Sequence, residues 1–162
     1  MSKEYADSKD ITIMGCSQGG VVCSLVAAKE KYNINKLILF YPAFCIPDDA
    51  KAGKMIFAKF DPYHLPEMIR CGPMKLGKCY VEDVINMDLF EEIKHYKKDV
   101  LIVHGTKDKI VDIDYSKRAY DVYKNNDLNR NVRFEIIKDG KHGFSKKIDK
   151  IAIEILKEFV KL

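Results

Sequence analysis

Three short runs along the chain are almost wholly apolar: Ile11-Thr-Ile-Met14, Lys36-Leu-Ile-Leu-Phe-Tyr41 and Val100-Leu-Ile-Val103. Runs this short, with little alternation, predict strands buried on both faces of a parallel sheet. A fourth run, Val132-Arg-Phe-Glu-Ile-Ile137, alternates more and predicts a strand nearer an edge. Helical periods lie between them. Gly20 to Lys29 is small and apolar, with Val21, Val22, Leu25 and Val26, which suits a helix pressed against a sheet. Tyr115 to Lys124 is amphipathic. The last stretch sets Ile148, Ile151, Ala152, Ile155, Leu156, Phe159 and Val160 at i, i+3, i+4 spacing, a strong amphipathic helix. The order strand, helix, strand, excursion, strand, helix, strand, helix predicts the α/β class, with a doubly wound, mostly parallel sheet in one domain over residues 1–162.

Residues 44–98 break the rhythm. They hold Pro47, Pro62, Pro66 and Pro73, the aromatics Phe57, Phe60 and Tyr63, and the methionines Met55, Met68, Met74 and Met87. A connection this long is usually functional. It predicts an inserted lid with a few short elements, lying over the carboxyl edge of the sheet.

Composition narrows the class. A hydrophobic share of 47% and a charged share of 32% belong to a globular chain. The net charge of +4 comes from interleaved acids and bases, and no basic face with interspersed aromatics argues for nucleic acid. The five cysteines Cys16, Cys23, Cys45, Cys71 and Cys79 are odd in number and have no CxxC spacing. They predict free thiols in a reducing compartment and no metal site. No apolar run reaches the roughly 20 residues of a membrane span, and residues 1–7 show no signal-peptide core. The expectation is a cytoplasmic protein with no membrane partner.

The chemistry begins at Gly15-Cys16-Ser17-Gln18-Gly19, which joins the first strand to the first helix. A GxSxG turn in that setting is a nucleophile elbow: the strained Ser is lifted above the sheet, and the flanking glycines leave room for the turn. Ser17 is the candidate nucleophile, and the backbone amide of Gln18, at the helix start, is a candidate oxyanion donor. A serine hydroxyl needs a base held by a third group. Of the four histidines, His64 lies in the proline-rich excursion and His95 in a charged stretch, both expected at the surface. His104 follows a buried strand and is expected as a hydrogen-bonder beneath the site. His142, in Asp139-Gly-Lys-His142-Gly-Phe144, follows the fourth strand, where parallel sheets collect ligand-binding and catalytic groups. It is the candidate base. Asp108, in His104-Gly-Thr-Lys-Asp108, is the candidate orienting acid. Asp112, Asp114 and Asp139 compete for that place, but the first two suit a helix start and the third a turn. The order Ser17, Asp108, His142 is that of α/β-hydrolases.

With Gly-Cys-Ser-Gln-Gly-Gly, His104-Gly-Thr-x-Asp108 and His142-Gly-Phe in place, the chain resembles the cinnamoyl (feruloyl) esterases of the α/β-hydrolase fold from about Ile11 onward. Those enzymes typically read GHSQGG at the elbow; here Cys16 stands where His is usual. The resemblance implies ester hydrolysis without metal or organic cofactor. It also implies a lid over the acyl pocket in which an acid and a tyrosine hold the phenolic end of a hydroxycinnamate. The matching positions are Asp49 and Tyr80. A thioesterase or an S33-type peptidase would use the same triad. The elbow follows the first strand here, whereas in the whole fold it follows the fifth. The expectation is therefore a domain truncated before the nucleophile strand, with the loop that gives a second oxyanion amide missing. The first strand would then be an exposed edge, open to a second copy or a complementing chain. The esterase would be a fragment of a longer reading frame or completed by another chain, and a catalytically impaired interaction module is the alternative.

Overall fold

The computed structural model describes residues 10–29, 31–125 and 131–161; residues 1–7, read above for a leader, lie outside them. The elements are β1 (Ile11–Cys16), α1 (Gln18–Ala27), β2 (Ile34–Phe40), α2 (Ile46–Lys51), β3 (Lys54–Met55), β4 (Ala58–Lys59), β5 (Met68–Cys71), β6 (Met74–Gly77), α3 (Lys78–Val84), α4 (Leu89–Ile93), β7 (Asp99–Gly105), α5 (Ile113–Lys124), β8 (Val132–Ile137) and α6 (Lys146–Lys161). Every strand and helix expected from the apolar patterning forms. The main sheet runs β1-β2-β7-β8, and all three pairings are parallel.

The two-residue period of the strands sorts the core into two layers. Leu37, Leu39, Val100 and Ile102 point into one cluster, with Val21 and Ala27 of α1 and Ala119 and Tyr123 of α5. Their alternates Ile38, Phe40, Leu101 and Val103 point the other way, under Ala152 and Phe159 of α6. Phe159 is fully buried, which contributes about 1.5–3 kcal/mol relative to an exposed ring.

β1 departs from the expectation of burial on both faces. Thr12 and Cys16 are exposed and Met14 is 44% exposed. The reason is coverage: α6 packs on β7 and β8, while β1 carries its helix, α1, on the opposite face. Among the described residues β1 pairs only with β2, so it is an edge.

Residues 44–98 form two units. The first holds α2, the antiparallel hairpins β3-β4 and β5-β6, and α3. It is anchored by Phe44, Ala50, Met55, Ala58, Ile69, Cys71 and Val81, which join the α1/α5-side core. The second is α4, which packs on both α1 and α5 and serves as the crossover between parallel β2 and β7. The Asp88 carboxylate caps α4 by accepting from the Glu91 amide at 3.1 Å.

Candidate active site

Ser17 takes φ 52° and ψ −125°, a conformation L-residues rarely adopt. Bonds on both sides hold it there. Its amide donates to Phe40 O at 2.9 Å, prolonging the β1-β2 ladder, and its carbonyl accepts from Gly20 N and Ala43 N, each at 3.0 Å. Its side chain makes no capping bond to α1, so the hydroxyl is left for another partner. Gln18 is the first residue of α1, and amides in a first helical turn have no intrahelical acceptor.

The glycine requirement falls differently from the reading of the pentapeptide. A Cβ on Gly15 would strike the Gly19 backbone, and one on Gly20 would come within 3.0 Å of Pro42 Cβ. A Cβ on Gly19 would meet nothing within 4 Å. The turn folds the helix entry over Gly15, so Gly15, two positions before the nucleophile, and Gly20 carry the constraint, while Gly19 faces open space.

The loops after β7 and β8 bring two more groups to Ser17. His142 Nε2 lies 3.0 Å from Ser17 Oγ, and His142 Nδ1 lies 2.8 Å from Asp108 Oδ2. A carboxylate oxygen accepts, so Nδ1 donates to Asp108 and Nε2 is left to accept the serine proton. Asp108 Oδ1 accepts from the amides of Ile110 and Val111 at 2.8 and 3.0 Å. The carboxylate is 1% exposed and the imidazole 22% exposed. One end of the relay is thus locked away from water, and the other can meet a substrate.

Three neighbours complete the constellation, and one of them, Tyr41, carries no motif. His104, fully buried, accepts from Ser116 Oγ on Nδ1 at 2.7 Å and donates from Nε2 to Val111 O at 3.1 Å. The same Nε2 lies 3.3 Å from Asp108 Oδ2, the oxygen that serves His142. Burial holds the His104 pKa below its ordinary value despite the adjacent carboxylate, so it stands neutral beneath the site. Tyr41, at φ 38°, packs its ring 4.8 Å from that of His142. Phe144, at φ 42°, stands edge-on to Tyr41 at 4.8 Å and 5.7 Å from Phe40. The left-handed Gly143-Phe144 step turns the chain back so that Phe144 plugs into this aromatic group and pins the loop that bears His142. Burial and the nearby Cys16 thiol push the Tyr41 phenol well up. The only sequence signal for this clamp is the phenylalanine two places after His142.

The other candidates lie elsewhere. Asp49 pairs with Lys54 at 2.9 Å. Tyr80 is partly buried against the inserted unit's core, its phenol pushed up by that burial and by Cys45 and Cys71. Cys45 neighbours both residues, and its thiol is pushed up to about 12 by burial and by Asp49. No hydrogen bond or ion pair among the described residues links either one to Ser17 or His142. The adjacent Asp48, absent from the sequence reasoning, accepts from the Tyr115 hydroxyl at 2.9 Å. Asp112 caps α5, accepting from Asp114 N at 3.0 Å, and Asp139 pairs with Lys107 at 2.7 Å. His64 pairs with Asp61 at the surface, and His95 is exposed. All five cysteines are free. Among the described residues no cluster of three or more His, Cys, Asp or Glu could hold a metal ion, and no helix is long and apolar enough to cross a membrane.

No family model matches the chain, and no curated protein matches it in sequence. Solved structures do match. Est1E from Butyrivibrio proteoclasticus, in a structure with ferulic acid bound, aligns at TM-score 0.81 and 30% identity over 94% of this chain and 61% of its own. The chain therefore spans about three-fifths of the length of Est1E. DcsB, in a complex with a substrate analogue, aligns at TM-score 0.70 and 18% identity over 99% of this chain and 67% of its own. Alpha/beta hydrolase domain-containing protein 10 from mouse aligns at 0.67 and 16% over 98% and 64%. These last two show the fold alone, and it is the α/β-hydrolase fold.

Proposed function

We propose that this chain, a cinnamoyl/feruloyl esterase-like α/β-hydrolase, carries the nucleophile, base and orienting acid of a serine esterase acting on hydroxycinnamate esters. The observation that carries the reading is the unbroken relay from Ser17 Oγ through His142 to the buried Asp108 carboxylate. In the proposed reaction His142 Nε2 takes the Ser17 proton as the oxygen attacks the ester carbonyl. Asp108 keeps the imidazole in the required tautomer and stabilises its cation. The Gln18 amide, at the positive end of α1, donates to the developing oxyanion. His142 then hands its proton to the leaving alcohol, and water, activated by the same base, releases the acid from Ser17.

Substrate class rests on the similarity to Est1E with ferulic acid bound, and on the pair Asp49 and Tyr80. Lys54 already balances the charge of Asp49, so the acid suits a neutral phenol donor better than a cation. One observation favours a second reading. Among the described residues β1 pairs only with β2, and an interaction module that pairs through this edge with a second copy or a complementing chain is the alternative. Fluorophosphonate labelling decides between the two. Labelling of the wild type and not of Ser17→Ala supports the hydrolase, and absence of labelling in the full-length protein would sink it. Turnover of methyl ferulate in preference to short p-nitrophenyl esters tests the substrate; equal or lower turnover of the ferulate refutes it.

A further inference from the structure

Both hairpins of the inserted unit place two cations directly across from each other. Lys54 faces Lys59 on β3-β4, and Arg70 faces Lys75 on β5-β6. All four are exposed. Like charges directly opposed on neighbouring strands destabilise a hairpin. Only Lys54 has an acidic partner, Asp49; Lys59, Arg70 and Lys75 have none among the described residues. The alternates of these residues point inward: Met55 and Ala58 from the first hairpin, Ile69 and Cys71 from the second, all in one core cluster. Because β4 also packs on β5, the cationic pairs lie on the outer side of a continuous two-hairpin surface. Residues 51–78 hold six cationic side chains and two acidic ones, an excess equal to the +4 of the whole chain.

The same surface is apolar. Phe57 and Ile56 form the tip of the first hairpin, 76% and 45% exposed, and Ile56 is held at φ 55°, an unfavourable conformation for a β-branched residue. Met68, two positions before Arg70 and so on the same face, is 52% exposed. Lysines on short strands also discourage edge pairing, but that role needs charge alone. It gives no reason for a strained isoleucine, an exposed phenylalanine and an exposed methionine beside the cations.

The geometry points to a docking surface for an anionic lipid bilayer. The cationic pairs would meet the phosphate headgroups, and Ile56, Phe57 and Met68 would reach the interface between headgroup and acyl chain. A soluble polyanion complements the charge but offers nothing to the apolar side chains; a lipid surface complements both. The expectation of no membrane partner rested on the lack of a spanning run, and a surface that lies on a bilayer needs none. The proposal is independent of the chemistry at Ser17.

Cosedimentation with vesicles tests it. The protein should pellet with phosphatidylcholine vesicles containing one-third phosphatidylglycerol, not with phosphatidylcholine alone, and raised salt should release it. Arg70→Gln with Lys75→Gln should weaken partitioning roughly thirtyfold, since each cation near an anionic surface is worth about fivefold. Phe57→Ser, which keeps the charge, should weaken it several-fold. Lys147→Gln with Lys150→Gln, an equal charge change on α6, should leave it unaltered and controls for net charge. Failure to pellet with the anionic vesicles at low salt overturns the proposal. So does equal loss from the α6 pair, or no loss from Phe57→Ser. Complete competition by soluble polygalacturonate also overturns it, because charge alone would then account for binding.

Discussion

Asp108→Asn separates the relay from mere proximity, and the structure says which way the new amide turns. Asp108 Oδ1 accepts from two backbone amides, Ile110 and Val111. An amide nitrogen cannot accept those bonds, so the Asn oxygen takes that place and its NH2 group faces outward in place of Oδ2. There it meets His142 Nδ1, which donates to Oδ2 in the native site, and lies beside His104 Nε2. His142 can satisfy the NH2 group only by accepting on Nδ1, which moves its own proton to Nε2, opposite Ser17. The imidazole is then the wrong tautomer to take the serine proton. A loss of about 10⁴-fold is expected, equivalent to about 5 kcal/mol of transition-state stabilisation. The assay is the second-order rate of fluorophosphonate labelling of Ser17 near neutral pH, with the urea midpoint measured in parallel to confirm folding. A folded Asp108→Asn variant that labels within tenfold of the wild type would show that Asp108 does not set the tautomer.

Two further outcomes concern stability. The Tyr123 hydroxyl is fully buried with no hydrogen-bond partner of proper geometry, although Ser24 lies near enough to influence it. An unpaired buried hydroxyl costs about 1–3 kcal/mol, so Tyr123→Phe, which keeps the ring, should raise the urea midpoint at constant m and lift Tm by about 2–4 °C per kcal/mol; an unchanged or lower midpoint contradicts this. His104 has a folded pKa below its ordinary 6.5, because burial penalises the cation. The unfolded chain therefore binds the proton that the folded chain refuses, and stability falls as pH drops from about 6.5 toward the folded value, then levels off. His104→Gln should flatten that part of the pH–stability curve, and a curve of unchanged slope would remove His104 from the account.

The sequence showed those parts of the site that depend on local order. Ser17, Asp108 and His142 each follow a recognisable strand, so short apolar runs and turn residues pointed to them without knowledge of the packing. Features that depend on what lies across space were hidden. Gly19 reads as a steric necessity in the pentapeptide, yet the crowding falls on Gly15 and Gly20, since that is decided by where α1 and Pro42 come to rest. The exposure of Met14 was hidden because its run is apolar and only the reach of α6 determines which strands are covered. Asp49 gave no sign of its bond to Lys54, which exists because β3 folds back beside α2. Tyr41 and Phe144 lie far apart in the chain, and no local pattern marks them as one aromatic group.

The bond between Ser17 and His142 spans 125 positions of chain. On a ribosome Ser17 emerges well before the imidazole it bonds to, which follows 125 positions later. Through that interval Ser17 is an ordinary alcohol, no more reactive than any serine on the surface. A contact of such long sequence separation costs more loop-closure entropy than the local helices do, and it needs both β1 and β8 in the sheet. Reactivity at Ser17 therefore reports completion of the sheet. A nascent or half-folded chain, with its apolar strands still exposed, has no means of acylating itself or its neighbours.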